Sequence, residues 1–298
     1  MRIKGGIIII FLLLFLTSKM AAGDFSAGLL KLEGDTTYFI SSENMWTESL
    51  LEFPLDIELL KIRYKHEINK NYIDKISISL SHSLFSSYSG IFKDTDYIKI
   101  DGEPIAYSES STELSAYMVD INLQTESYNI KELADTEISF SIGCQKRVFD
   151  FRIYDSVQYS YFTGQQRELP GNNLFYSIEY NIPYLGVGIN NCLLSENLCW
   201  EFFYLYSPLV TVKDYDDHIL RKQIRKTHAS GKAEILGFGF VCNYDLNIKY
   251  RFGIEYTDID TKGTQKLLNY ANDLIAGDID SEIKSSQQTI YFVIECSF

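Results

Sequence analysis

Ile290-Tyr291-Phe292-Val293-Ile294-Glu295-Cys296-Ser297-Phe298 ends the chain, and its two faces differ chemically. Side chains on an extended strand alternate sides, so Ile290, Phe292, Ile294, Cys296 and Phe298 share one face, while Glu295 and Ser297 lie on the other. The same period of two recurs upstream. Ile248, Tyr250, Phe252, Ile254 and Tyr256 alternate with Lys249, Arg251, Gly253 and Glu255; Tyr176, Ile178, Tyr180, Ile182 and Tyr184 alternate with Ser177, Glu179 and Asn181; Ile76, Ile78, Leu80 and Leu84 alternate with Ser77, Ser79, Ser81 and Ser83. In a soluble sandwich the apolar face would be core. In a membrane barrel it would meet lipid and the polar face would line the interior.

Three features favour the barrel. Several alternating runs exceed the ~5 to 6 residues usual in soluble sheets, 137–161 being the extreme. The chain holds 22 Tyr and 19 Phe, the residues of interfacial girdles. A last strand finishing on phenylalanine resembles the assembly signal of bacterial outer-membrane barrels. Ten strands are expected, at 24–40, 46–68, 75–88, 113–128, 137–161, 174–189, 198–213, 232–245, 248–260 and 287–298. Short and long connections alternate between them. The fold expected is an all-β, ten-stranded antiparallel transmembrane β-barrel with short periplasmic turns, long extracellular loops and both termini periplasmic.

The amino terminus carries Arg2 and Lys4, an apolar run from Gly5 to Leu16 and small residues at Ala21, Ala22 and Gly23. That is the pattern of a secretory signal, shorter than the ~20 residues of a membrane-spanning helix. Residues 1–22 are expected to be the signal and 23–298 a single barrel domain. Losing Arg2, Lys4 and Lys19 leaves 24 Lys and Arg against 40 Asp and Glu, a net charge of −16. Nucleic acid is a poor partner for such a surface, whereas basic peptides suit it. Cysteines number five, so they define no complete framework; Cys192 and Cys199 flank one turn and could bridge. No Cys-x-x-Cys or His-Glu-x-x-His spacing points to a metal.

Two runs carry chemistry. In Lys213-Asp214-Tyr215-Asp216-Asp217-His218, the side chains of Asp214, Asp216 and His218 share a face. In Lys93-Asp94-Thr95-Asp96-Tyr97, Asp94 and Asp96 do the same. Both runs fall in connections on the long-loop side, 89–112 and 214–231, so both are expected at the extracellular mouth, with Asp35 on the same rim. Acidic runs at strand ends are commonly just solvated, and the pattern alone does not establish catalysis. His66, His82 and His228 have no carboxylates at comparable spacing and are read as structural.

These motifs, with Ile182-Pro183-Tyr184-Leu185-Gly186, resemble in order those of the omptin family of bacterial outer-membrane proteases. The resemblance covers essentially the whole chain after the signal. It implies an endopeptidase that cleaves after or between basic residues. Asp94 and Asp96 would be the couple, and Asp216 and His218 the dyad, acting together on a nucleophilic water. It also implies two acids that seat the basic side chain: Asp214, and Asp35 when Tyr38 is aligned with the family's tyrosine. Two carboxylates suit a bidentate guanidinium. Lipopolysaccharide is the implied activator, gripped by basic residues on the outer wall, for which this chain offers Lys146 and Arg147. No other cofactor is expected. The partners expected are basic peptides or proteins, host proteins among them, and outer-membrane lipid, with the protein acting as a monomer. An adhesin that kept the barrel without turnover is the alternative. A small-solute pore ranks last, because Lys249, Arg251 and Glu255 crowd the inward face.

Overall fold

Apolar residues at alternate positions give each segment one face that must leave water, and closing the sheet leaves no edge unpaired. The computed structural model describes residues 23–41, 47–70, 72–125, 127–130, 136–192, 197–245, 247–271 and 273–298. The expected signal, 1–22, lies outside them. The strands are β1 (Gly23–Ser41), β2 (Thr47–Lys70), β3 (Ile73–His82), β4 (Ser87–Ile98), β5 (Pro104–Gln124), β6 (Tyr128–Ile130), β7 (Thr136–Ser160), β8 (Gln166–Cys192), β9 (Leu198–His218), β10 (Gln223–Asn243), β11 (Ile248–Asn269) and β12 (Leu274–Ser297). All pairings are antiparallel, and β1 pairs with β2 on one side and β12 on the other, which closes the ring.

Twelve strands make ten staves. β3 and β4 both pair with β2 and β5, one above the other, so they form a single interrupted stave. Ser83 bridges the interruption: its N–H donates to the Ala116 carbonyl at 3.0 Å and its hydroxyl accepts from the Ala116 N–H at 3.0 Å. β6 is a short arm paired only with β7. The ten-stranded barrel is therefore the observed fold, with one difference in detail. The excursions expected as loops at 89–112 and 214–231 are mostly hydrogen-bonded hairpins, formed by β4 with β5 and by β9 with β10.

The barrel has two zones of opposite polarity. Near the termini the outward residues are apolar, including Leu29, Ile121, Ile142, Leu185, Phe238, Phe252, Ile254, Phe292 and Ile294. The nine residues from Ile248 to Tyr256, at ~3.3 Å per residue and a tilt of ~40°, span about 23 Å, the height of an outer-membrane apolar band. Inside this belt the residues are polar: Arg251 is paired with Glu201 and Glu295, and Arg147 with Glu255 at 3.0 Å. They border a cavity of about 510 Å³. Above the belt the polarity inverts. Outward positions become charged, as at Lys31, Glu33 and Asp35, while Leu32, Tyr38, Phe53, Phe92, Phe151, Ile153, Tyr176, Ile178 and Val212 point inward and are buried. Phe53 stacks on Tyr176 with ring centroids 4.2 Å apart and packs against Phe92 at 4.8 Å and Phe151 at 5.2 Å. Each such side chain contributes roughly 1.5–3 kcal/mol by leaving water, so this aromatic layer is a rigid floor. On the opposite, periplasm-like end, Cys192 and Cys199 form a disulfide across the β8–β9 turn.

Candidate active site

The floor fixes what stands on it. On β4 the buried Phe92 points inward, and alternation carries Asp94 and Asp96 onto the same face one and two steps higher. A bulge at Gly90, with φ +128°, sets this register; a Cβ there would lie 3.0 Å from Pro54. On β9 the buried Val210 and Val212 begin an inward row that continues through Asp214 and Asp216 to His218. Both rows thus end at the same mouth, on walls that are not neighbours in the ring.

His218 Nε2 lies 3.0 Å from Asp216 Oδ2. A carboxylate accepts, so Nε2 carries the hydrogen and Nδ1 keeps the lone pair. Asp216 is 0 % exposed and its other oxygen, Oδ1, has no hydrogen-bond partner among the described residues. Asp94 accepts a hydrogen bond from the Ser49 hydroxyl at 3.2 Å. Burial, with the charge of Asp96 beside it, pushes the Asp94 carboxyl up to about 6, although the charges of Arg225 and His218 pull the other way. His218 and Asp94 therefore act on each other across the opening.

Asp214 sits one step deeper. Its Oδ1 accepts from the Thr227 backbone N–H at 3.0 Å, and the Tyr176 hydroxyl donates to Oδ2 at 3.4 Å. Burial and the neighbouring Asp216 push it up to about 7. Tyr38 closes the other side; its hydroxyl is bonded to the Thr227 hydroxyl and accepts from Gln265 Nε2 at 2.6 Å. Burial and the Asp214 charge hold the phenols of Tyr38 and Tyr176 well above the usual tyrosine range. Asp217 faces outward, where Tyr270 donates to it at 2.8 Å.

Two expected site residues are elsewhere. Asp35 is exposed on the outer face, while Thr36 and Tyr38 point in. Residues three apart on a strand face opposite ways, so an alignment through Tyr38 could not bring Asp35 inside. Thr36 fills the inward position and bonds Ser285 at 2.8 Å. Of the two acids expected to seat a basic side chain, the structure therefore places Asp214 in the pocket beneath the dyad and Asp35 outside it. Arg147 is likewise not on the outer wall: it points into the barrel, donating to Gln287 at 2.7 Å and Thr257 at 3.2 Å as well as pairing with Glu255. Lys146 does face outward but is neutralised by Glu179 at 2.7 Å. Adjacent strand residues cannot both face lipid, and these two do not fit a site for lipid phosphates.

Arg225 was not singled out from the sequence. It faces inward on β10 directly opposite Asp216. Counting back across the tight β9–β10 hairpin from Asp216 would have found it.

The sequence model described as Omptin family matches residues 23–292. No curated protein matches the chain. Among solved structures, the outer membrane protease OmpT from Escherichia coli superimposes with a TM-score of 0.79 at 15% identity, covering 94% of this chain and 98% of that one. The translocator domain of the autotransporter NalP from Neisseria meningitidis gives 0.35 at 6% identity, covering 99% and 95%. The toluene transporter TodX from P. putida gives 0.29 at 8%, covering 94% and 91%.

Proposed function

This chain belongs to the omptin family of outer-membrane proteases, and from that premise we propose that it is an endopeptidase cleaving beside basic residues at the extracellular mouth of the barrel, with water as nucleophile. His218 Nδ1 takes the proton of the attacking water, and Asp216 orients the ring and balances the imidazolium that forms. Asp94 and Asp96, side by side on the inward face of β4, hold that water from the facing wall. Asp214 receives the cationic side chain of the substrate. The chemistry needs no acyl-enzyme: the water oxygen bonds to the carbonyl carbon, the carbon–nitrogen bond breaks, and the imidazolium returns its proton to the leaving amine.

The observation that carries this reading is the 3.0 Å contact of His218 with Asp216 at the same mouth as Asp94. The test is cleavage of dibasic peptides by refolded protein, alongside His218→Ala and Asp94→Ala variants whose barrels retain heat-modifiable mobility on gels. Loss of cleavage in both variants supports the mechanism. Cleavage that survives either change rejects it, and a wild-type protein that binds host matrix without cutting peptides is an adhesin.

A further inference from the structure

The dyad and the couple are three carboxyls and an imidazole engaged with the attacking water, so none of the four carries a fixed positive charge toward the oxygen that becomes negative when water adds to a peptide carbonyl. Arg225 does. It is the strand partner of Asp216, on the inward face of β10 two residues from the buried Thr227 that binds Asp214. Directly opposite residues have Cβ atoms roughly 4.5–5.5 Å apart. Yet among the described residues Arg225 makes no ion pair or hydrogen bond, with Asp216 or any other group. Its charge reaches Asp94 on the far wall and Tyr38 on the pocket wall. An inward-facing guanidinium on the strand beside the dyad, unpaired among the described residues and within electrostatic reach of Asp94 on the facing wall, is placed to act as an electrophile at the cleft.

We infer that Arg225 is a catalytic residue of the proposed hydrolysis, donating hydrogen bonds to the carbonyl oxygen as it becomes an oxyanion. This rests on the proposed endopeptidase reading. As the water oxygen bonds to carbon, the carbonyl π pair moves onto oxygen, and the water proton goes to His218 Nδ1. Arg225 remains protonated throughout and releases the oxygen when the carbonyl re-forms and the amine leaves. Such an interaction is stronger in the transition state than with bound substrate, so it acts on kcat and not on KM.

The experiment compares Arg225→Met and Arg225→Lys with wild type on one dibasic peptide, measuring kcat and KM separately. A second arm measures calorimetric binding of a phosphinate analogue of that peptide, which mimics the tetrahedral oxyanion. The expected result for Arg225→Met is a kcat about 10²–10³-fold lower with KM nearly unchanged, as for loss of one oxyanion donor. Arg225→Lys should recover part of the rate, and phosphinate affinity should fall in parallel with kcat. Arg225→Met with kcat within about threefold of wild type, an effect confined to KM, or unchanged phosphinate affinity overturns the assignment. If His218→Ala is inactive while Arg225→Met is not, only the role of Arg225 fails; if cleavage survives both, the His218 mechanism fails with it, and a wild type that cuts no dibasic peptide overturns the endopeptidase reading itself.

Discussion

His218 Nε2 and Asp216 Oδ2 are 3.0 Å apart, and the remaining oxygen of that fully buried Asp216 has no hydrogen-bond partner among the described residues. A buried carboxyl oxygen left without a donor costs free energy, so an acid at this position is kept at some cost to the fold. Asp216→Asn keeps the shape but can present an amide N–H to the ring, which favours the wrong tautomer. The expected outcome is a kcat roughly 10²–10⁴-fold lower with KM little changed, by analogy with the loss of the orienting carboxylate in other histidine dyads. Steady-state kinetics on the dibasic peptide check it.

Asp214 binds a cation only when ionised, and its carboxyl titrates near 7. The free-enzyme parameter kcat/KM for substrates with a basic side chain should therefore fall as pH drops through about 7, and Asp214→Asn should lose that limb of the profile. The same group acts oppositely on stability. A carboxyl whose folded value lies above the ordinary 3.8 adds stability that is fully present below 3.8 and lost as pH rises through about 7. Asp214→Asn is thus expected to melt higher than wild type at pH 8, by on the order of 2 kcal/mol, with the advantage gone at pH 3.5. Thermal melts in detergent at the two pH values decide this.

The barrel was legible because period-two alternation with a bulky apolar face survives in single strands such as Ile248 to Tyr256. Strand ends were not, and the reason is the inversion of polarity above the membrane belt. On β1 the outward Leu29 is followed by the inward Leu30 and Leu32 and the outward Lys31 and Glu33, so the apolar residues change faces within one straight strand. In sequence that change looks like the end of a strand, and the hairpin extensions were therefore expected as loops. Residues sharing a strand with a motif were placed on the right faces, as Asp94 with Asp96 and Asp214 with Asp216 and His218. Asp35 and Arg147, expected from the resemblance alone, lie on the opposite faces because strand parity decides: Asp35 is three residues from the inward Tyr38, and Arg147 is next to the outward Lys146. Arg225 belongs to a partner strand, and register between strands is set by the hairpin turn and not by composition.

With Asp35 outside the barrel, its removal should not touch the substrate pocket. Asp35→Ala is expected to leave KM for a basic peptide within about twofold of wild type, since an exposed charge so placed acts only through screened solvent. Asp214→Ala, in contrast, should raise KM by roughly 10–100-fold, as for loss of one charge-assisted contact of ~1.5–3 kcal/mol. Parallel KM measurements on both variants separate the pocket acid Asp214 from the outer-face Asp35.

Activation by lipopolysaccharide requires free cations on the outer wall to meet lipid phosphates. Here Arg147 is committed to Glu255, Gln287 and Thr257 inside the barrel, and Lys146 is held by Glu179. An ion pair already satisfied by a protein carboxylate gains little from a second anion, because binding the phosphate would break the first contact and leave Glu179 beside it. Lys146→Ala should therefore leave the ratio of cleavage rates with and without added lipopolysaccharide within about threefold of the wild-type ratio. Glu179→Gln supplies the converse: freeing Lys146 should create or strengthen a response to the lipid, and Lys146→Ala on top of it should remove that response. A large activation of wild type that Lys146→Ala abolishes would show that the pair opens to admit a phosphate.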